Sequence, residues 1–122
     1  MCGINGIIDL TIPNEQTVTS ILNTMNDLIL HRGPDEDGLF SEQNNAYSIG
    51  MGMRRLSIID LSSGKQPIFS DDNQIVIVFN GEIYNYKILK AKLESEGVTF
   101  KTSSDTEVIL KAYEKYGVES FQ

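Results

Sequence analysis

The sequence predicts an α+β domain in which a short apolar strand and an amphipathic helix lead into a run of brief strands, with further helices beyond. Three observations carry this. Val18, Ile21, Leu22, Met25, Leu28 and Ile29 fall on one helical face between Thr17 and His31. From Leu39 to Asn80 the pattern changes to short apolar runs divided by polar turns such as Asp71-Asp72-Asn73. Ser104-Asp105-Thr106-Glu107 then has the S-x-x-E spacing of a capping box, ahead of an apolar stripe of Val108, Leu110, Ala112 and Tyr113.

Residues 3–10, apolar and dotted with glycine, suit a buried strand, so the chain is expected to begin inside the core. The helix over Thr17 to His31 is stopped by Arg32-Gly33-Pro34-Asp35-Glu36-Asp37-Gly38, a loop by its proline, glycines and acids. Strands are expected over Leu39–Ser41, Tyr47–Met53, Leu56–Asp60 and Ile75–Phe79. The last is apolar at every position, which predicts cover on both faces. A second helix is expected from Tyr86 to Glu96, capped by Asn85 and closed by Gly97, then a strand over Val98 to Thr102 and a third helix ending at Gly117. No repeat or linker divides the chain, so residues 1–122 read as one domain. Its abrupt end at Val118-Glu119-Ser120-Phe121-Gln122 predicts that it is the first part of a longer one.

The chain has 122 residues, with ten Lys+Arg against seventeen Asp+Glu and a formal charge of −7. That balance disfavours a binder of nucleic acid, which needs clustered cations, and equally an anionic membrane surface. No apolar run approaches the ~18 residues of a membrane span. The start lacks the basic and apolar regions of a secretory signal, and a cytoplasmic protein is expected. Cys2 is the only cysteine and cannot form an internal disulfide; no Cys/His spacing suggests a metal site.

Any chemistry at Cys2 must therefore be that of a thiol, which needs a base to act as a nucleophile near neutral pH. Met1 precedes a small residue, and its removal would leave Cys2 with a free α-amine able to take the thiol proton and later protonate a leaving group. Taken alone, Cys2 is more simply a small buried hydrophobe. Asn80-Gly81 offers a side-chain amide and a backbone N–H that could converge as an oxyanion hole, although Asn-Gly after an apolar run is first of all a hairpin signal. Arg55 and Asp105 would suit the carboxylate and ammonium of an α-amino acid; alone, they are a surface ion pair and a first-turn acid favoured by the helix dipole. His31, the single histidine, reads as a helix-terminal structural residue.

Together these segments resemble one family. Met1-Cys2-Gly3-Ile4-Asn5-Gly6, His31-Arg32-Gly33-Pro34-Asp35, Arg54-Arg55-Leu56-Ser57-Ile58-Ile59-Asp60, Phe79-Asn80-Gly81-Glu82-Ile83-Tyr84-Asn85 and Ser104-Asp105-Thr106-Glu107-Val108-Ile109 are similar, in collinear order, to the class II glutamine amidotransferase domain of glutamine-hydrolysing asparagine synthetases. The resemblance implies an N-terminal-nucleophile hydrolase with an α-β-β-α sandwich, incomplete at its C-terminus, that hydrolyses L-glutamine through a γ-glutamyl thioester on Cys2. It implies that Arg55 holds the substrate carboxylate and Asp105 its ammonium, that Asn80 and Gly81 stabilise the oxyanion, and that backbone near Leu56, Ile58 and Glu82 also meets glutamine. No cofactor is implied on this chain. ATP and magnesium would belong to a synthetase domain absent here, since the sequence has no Ser-Gly-Gly-x-Asp-Ser loop. Met53 departs from the family pattern, which often has histidine before the paired arginines. Missing strands would leave an apolar face open and predict a homo-oligomer, decided by light scattering. Two other readings stay open: a silent structural or glutamine-binding fragment, and a glutaminase domain serving another ammonia acceptor.

Overall fold

Asn14 opens the first helix by accepting the Thr17 N–H on its side-chain oxygen at 2.8 Å, so α1 runs over Glu15–Leu28 and starts before the apolar stripe does. The computed structural model describes residues 2–11, 14–57 and 64–122. At its far end α1 tightens, with the Ile29 N–H turning to the Asn26 carbonyl, and a single 3₁₀ turn over Leu30–Arg32 replaces the helix expected to reach His31.

The helix lies on a three-stranded antiparallel sheet of β1 (Gly3–Asp9), β2 (Glu36–Gln43) and β3 (Ser48–Arg55) in the order β1-β3-β2. Val18 and Leu22 are fully buried against it. Gly50 permits that approach, because a Cβ there would stand 2.5 Å from Leu22 and 2.7 Å from Val18. One buried amide joins the helix to every strand: Asn26 donates to the carbonyls of Gly38 and Met53 at 3.4 Å each and accepts from Asn5 at 2.6 Å. A polar side chain in the core is tolerable only with its bonding capacity used in this way.

The opposite face of the sheet carries Phe40, Met51 and Ile49, and meets a hairpin of β4 (Ile68–Phe69) and β5 (Val76–Ile77). Phe40 and Phe69 touch edge to face at 5.8 Å between ring centres. The hairpin turns where Asp72 accepts from the Ser70 hydroxyl and the Gln74 N–H and Asn73 adopts φ 57°. Two helices, α2 (Tyr86–Ser95) and α3 (Asp105–Tyr116), pack on each other, and α3 covers β4 and β5. Between β3, β5 and α3 lies an apolar cleft of about 460 Å³, lined among others by Ile49, Met51, Ile77, Ile109 and Tyr113. The architecture is thus mixed α+β with antiparallel sheets.

Several expectations are corrected. Strand β1 is at the sheet edge, and Ile4 and Ile8 are 49% and 65% exposed among the described residues, because nothing described here covers that side of the face. Of Ile75–Phe79 only Val76 and Ile77 form a ladder, paired to β4 alone, and all five residues are half-buried. No strand forms over Val98–Thr102: the Val98 N–H turns back to the Leu93 carbonyl, and the Lys101 and Thr102 N–H groups go to the Glu107 carboxylate. Leu56 and Ser57 are not in a strand, and residues 58–60 of that expectation lie outside the described residues. Strand β4 had no signal in the sequence pattern.

Candidate active site

Cys2 sits immediately before β1 and is half-buried. Its carbonyl accepts both Nε and Nη2 of Arg32 at 3.4 Å, while its sulfur receives the N–H of Leu56, just past β3, at 3.4 Å. The antiparallel register brings these groups together, since Gly3 pairs with Arg54 at one edge of β3 and Glu36 with Arg55 at the other. Arg55 is therefore close by, its Nη1 3.1 Å from Glu36 with side chains 14% and 29% exposed. The pair is more enclosed than the surface ion pair expected from sequence.

The Arg32-Gly33-Pro34-Asp35 loop braces this end of the sheet. A Cβ on Gly33 would stand 2.4 Å from the Arg54 carbonyl carbon and the Arg55 nitrogen. Asp35 donates its N–H to the Arg55 carbonyl at 3.2 Å, and its carboxylate accepts the Ser57 N–H at 2.7 Å. Met1 and Ile58 lie outside the described residues. Met53 is 1% exposed, so its thioether serves the core. His31 is exposed in the 3₁₀ turn.

The second group lies beyond β5. Asn80, Gly81 and Glu82 are exposed and follow Phe79 out of the hairpin. Gly81 lies close over the Phe79 ring, whose tip would be 2.8 Å from an added Cβ and would have to shift to admit one. Asp105 opens α3, as expected of a first-turn acid, and its Oδ2 also accepts the Ile83 N–H at 2.9 Å. Behind this loop the buried Gln66 accepts the Phe79 N–H at 2.6 Å and donates to the Phe79 carbonyl at 3.1 Å and to the Thr106 hydroxyl at 3.4 Å.

The structure thus gathers Cys2, Leu56 and Arg55 at one end of the sheet, and Asn80, Gly81, Glu82 and Asp105 at one loop and helix start. Among the described residues no hydrogen bond or ion pair joins the two groups. The larger recess, about 520 Å³, is bounded by β2 and by Lys65 to Phe69 and includes none of these residues. Among the described residues no three of His, Cys, Asp and Glu are grouped as metal ligands. Sequence reasoning missed Glu36, Gln66 and the bond from Arg32 to Cys2. Arg32 lies within the His31-Arg32-Gly33-Pro34-Asp35 motif; Glu36 and Gln66 carry no local signal, since their partners are distant in the chain.

The chain belongs to the glutamine amidotransferase domain family, whose model matches residues 1–122. It is 46% identical over 122 residues to glutamine-hydrolyzing asparagine synthetase 1 of Bacillus subtilis (strain 168), an alignment covering 98% of this chain and 18% of that protein. A putative glutamine-hydrolyzing asparagine synthetase 2 of Methanocaldococcus jannaschii is 46% identical over 134 residues, covering 98% of this chain and 25% of the relative. In Arabidopsis thaliana, glutamine-hydrolyzing asparagine synthetase 2 is 41% identical over 119 residues. The chain spans between about a fifth and a quarter of the length of these relatives.

Proposed function

We propose that the protein is the glutaminase part of an asparagine synthetase, converting L-glutamine and water to glutamate and ammonia. The observation that carries this is the Cys2 sulfur, held at 3.4 Å from the Leu56 N–H beside Arg55 in a chain of the amidotransferase family. In this reading Met1 is removed and the new α-amine takes the Cys2 proton. The sulfur attacks the glutamine amide carbon, and the oxyanion is met by the Asn80 side-chain amide and the Gly81 N–H. The C–N bond then breaks as the α-ammonium returns its proton to the leaving nitrogen, releasing ammonia and leaving a γ-glutamyl thioester. Water adds to the thioester carbon, the C–S bond breaks, and the thiol and glutamate are restored.

Arg55 pairs with the substrate carboxylate and Asp105 with its ammonium, with Leu56, Ile58 and Glu82 supplying backbone contacts. The α-β-β-α sandwich of N-terminal-nucleophile hydrolases belongs to the same reading, supported by α1 on one sheet and α3 on the facing hairpin. So do a cytoplasmic location and transfer of ammonia to an ATP- and magnesium-dependent domain that amidates aspartate. No helix among the described residues is long and apolar enough to cross a membrane. No step on this chain runs through ATP or magnesium, whose pyrophosphate loop its sequence lacks.

The test is incubation with the glutamine-shaped diazoketone 6-diazo-5-oxo-L-norleucine, read by intact mass, beside ammonia release by wild type and Cys2→Ala. Expected are loss of Met1, a single adduct on Cys2, and no turnover by Cys2→Ala. Equal ammonia release by the two proteins overturns the reading.

A further inference from the structure

We infer that Gln66 is a positioning residue for the oxyanion donors, an inference that rests on the glutaminase reading of Asn80 and Gly81. Its side chain does what a neighbouring strand would do. It offers one acceptor and one donor to both backbone groups of a single residue, Phe79, at 2.6 and 3.1 Å. This happens where the β4–β5 ladder has already ended, at Ile77. Gln66 is 8% exposed, and Thr106, whose hydroxyl takes its remaining donor, is 4% exposed, so water competes little for these bonds.

The clamp bears directly on the donors. Phe79 precedes Asn80, and its ring lies so close under Gly81 that a Cβ there would approach it to 2.8 Å. On the other side Asp105 fixes the Ile83 N–H at 2.9 Å. Asn80 and Gly81 are themselves exposed, so their place depends on these two anchors, and Thr106 ties the first anchor to the helix that carries the second. An oxyanion hole gains its effect from donors fixed before the charge develops, so loosening Phe79 should weaken the transition state and spare the ground state.

The test compares Gln66→Met with wild type on the purified protein, with active sites counted by the Cys2 label. We expect kcat per labelled site to fall by about ten- to a hundredfold, short of the ~10²–10³ for loss of a donor itself, with KM within about twofold. In an Asn80→Ala background the same change should cost much less, because the group it positions is gone. A residue that matters only for stability would lower the number of labelled sites and leave kcat per site intact. Thr106→Val, which removes one bond of the clamp, is the second variant should Gln66→Met not fold, and should lower kcat a few-fold in the same pattern. Wild-type kcat per site in the variant that folds, or full additivity with Asn80→Ala, overturns the inference. Equal ammonia release by wild type and Cys2→Ala overturns instead the reading on which it stands.

Discussion

The two halves of the molecule hold their candidate site residues by different means. Around Cys2 and Arg55 the holding is done by backbone: long strands in register bring the start of β1, the start of β2 and the end of β3 to one place. Around Asn80 and Asp105 it is done by side chains. The strands there are two residues long, and the chain from Phe79 to Thr102 is tied by Gln66, Asp105 and Glu107 to its N–H groups. A ladder spreads the load over many bonds, so, the Asn26 amide under the sheet apart, a single polar substitution should matter little there and a steric one a great deal. A clamp concentrates it, so one polar substitution should be enough.

The largest effect is therefore expected from Gly33→Ala in the first half. The added methyl would fall 2.4 Å from backbone atoms of Arg54 and Arg55, which cannot rotate away as a flexible side chain can. We expect destabilisation of ~3 kcal/mol or more, toward the upper range of overpacking penalties, read from denaturant midpoints at unchanged slope. A loss below ~1 kcal/mol would show that the loop yields, and that the ladder half is as adjustable as the other.

The matching change in the second half is polar. Glu107 is 3% exposed, and its carboxylate accepts the N–H groups of Lys101 and Thr102 at 2.8 and 2.6 Å and the Thr102 hydroxyl at 2.5 Å. Glu107→Ala strands two backbone donors and should cost about 2 to 3 kcal/mol, with faster amide exchange at Lys101 and Thr102. Glu107→Gln keeps an acceptor and should cost less. Equal loss in the two variants would mean that these donors find water instead, and the contrast between ladder and clamp would fail.

The same carboxylate marks the limit of what the sequence disclosed. The S-x-x-E spacing correctly locates the start of α3, since Ser104 Oγ accepts the Glu107 N–H at 3.2 Å. The spacing does not say where the carboxylate turns, and because it takes the Lys101 and Thr102 donors, the strand expected there has nothing to pair with. The α1 stripe was legible only in part: Val18 and Leu22 are buried and Met25 and Ile29 half-buried, but Ile21 and Leu28 of the same stripe are exposed, Leu28 at the point where the helix ends. Periodicity does not record distant polar partners. Arg55 and Asp105 could be singled out by charge, but their contacts with Glu36 and Ile83 could not, and Gln66 looked like any polar residue before a proline. Cys2 and Leu56, 54 positions apart, meet only through a register that the apolar pattern leaves unspecified.

The smallest effect should be electrostatic and confined to the second half. Asp71, at the tip of the β4–β5 turn, meets Lys101 at 2.5 Å and Lys111 of α3 at 3.1 Å. The hydrogen bond from Lys101, then that from Lys111, holds its carboxyl below the ordinary 3.8. A depressed carboxylate pKa means that the unfolded chain takes up this proton first as pH falls. The contribution is thus present above pH 3.8 and fades as pH drops from there through the lower folded value. Asp71→Asn should lower the melting temperature slightly at neutral pH, should do so less below pH 4, and should lose its effect in high salt, because the site is exposed and readily screened. A variant whose deficit grows on acidification would show that the hairpin is held to α3 by something other than this charge, and that the clamp half does not depend on single polar groups as its geometry suggests.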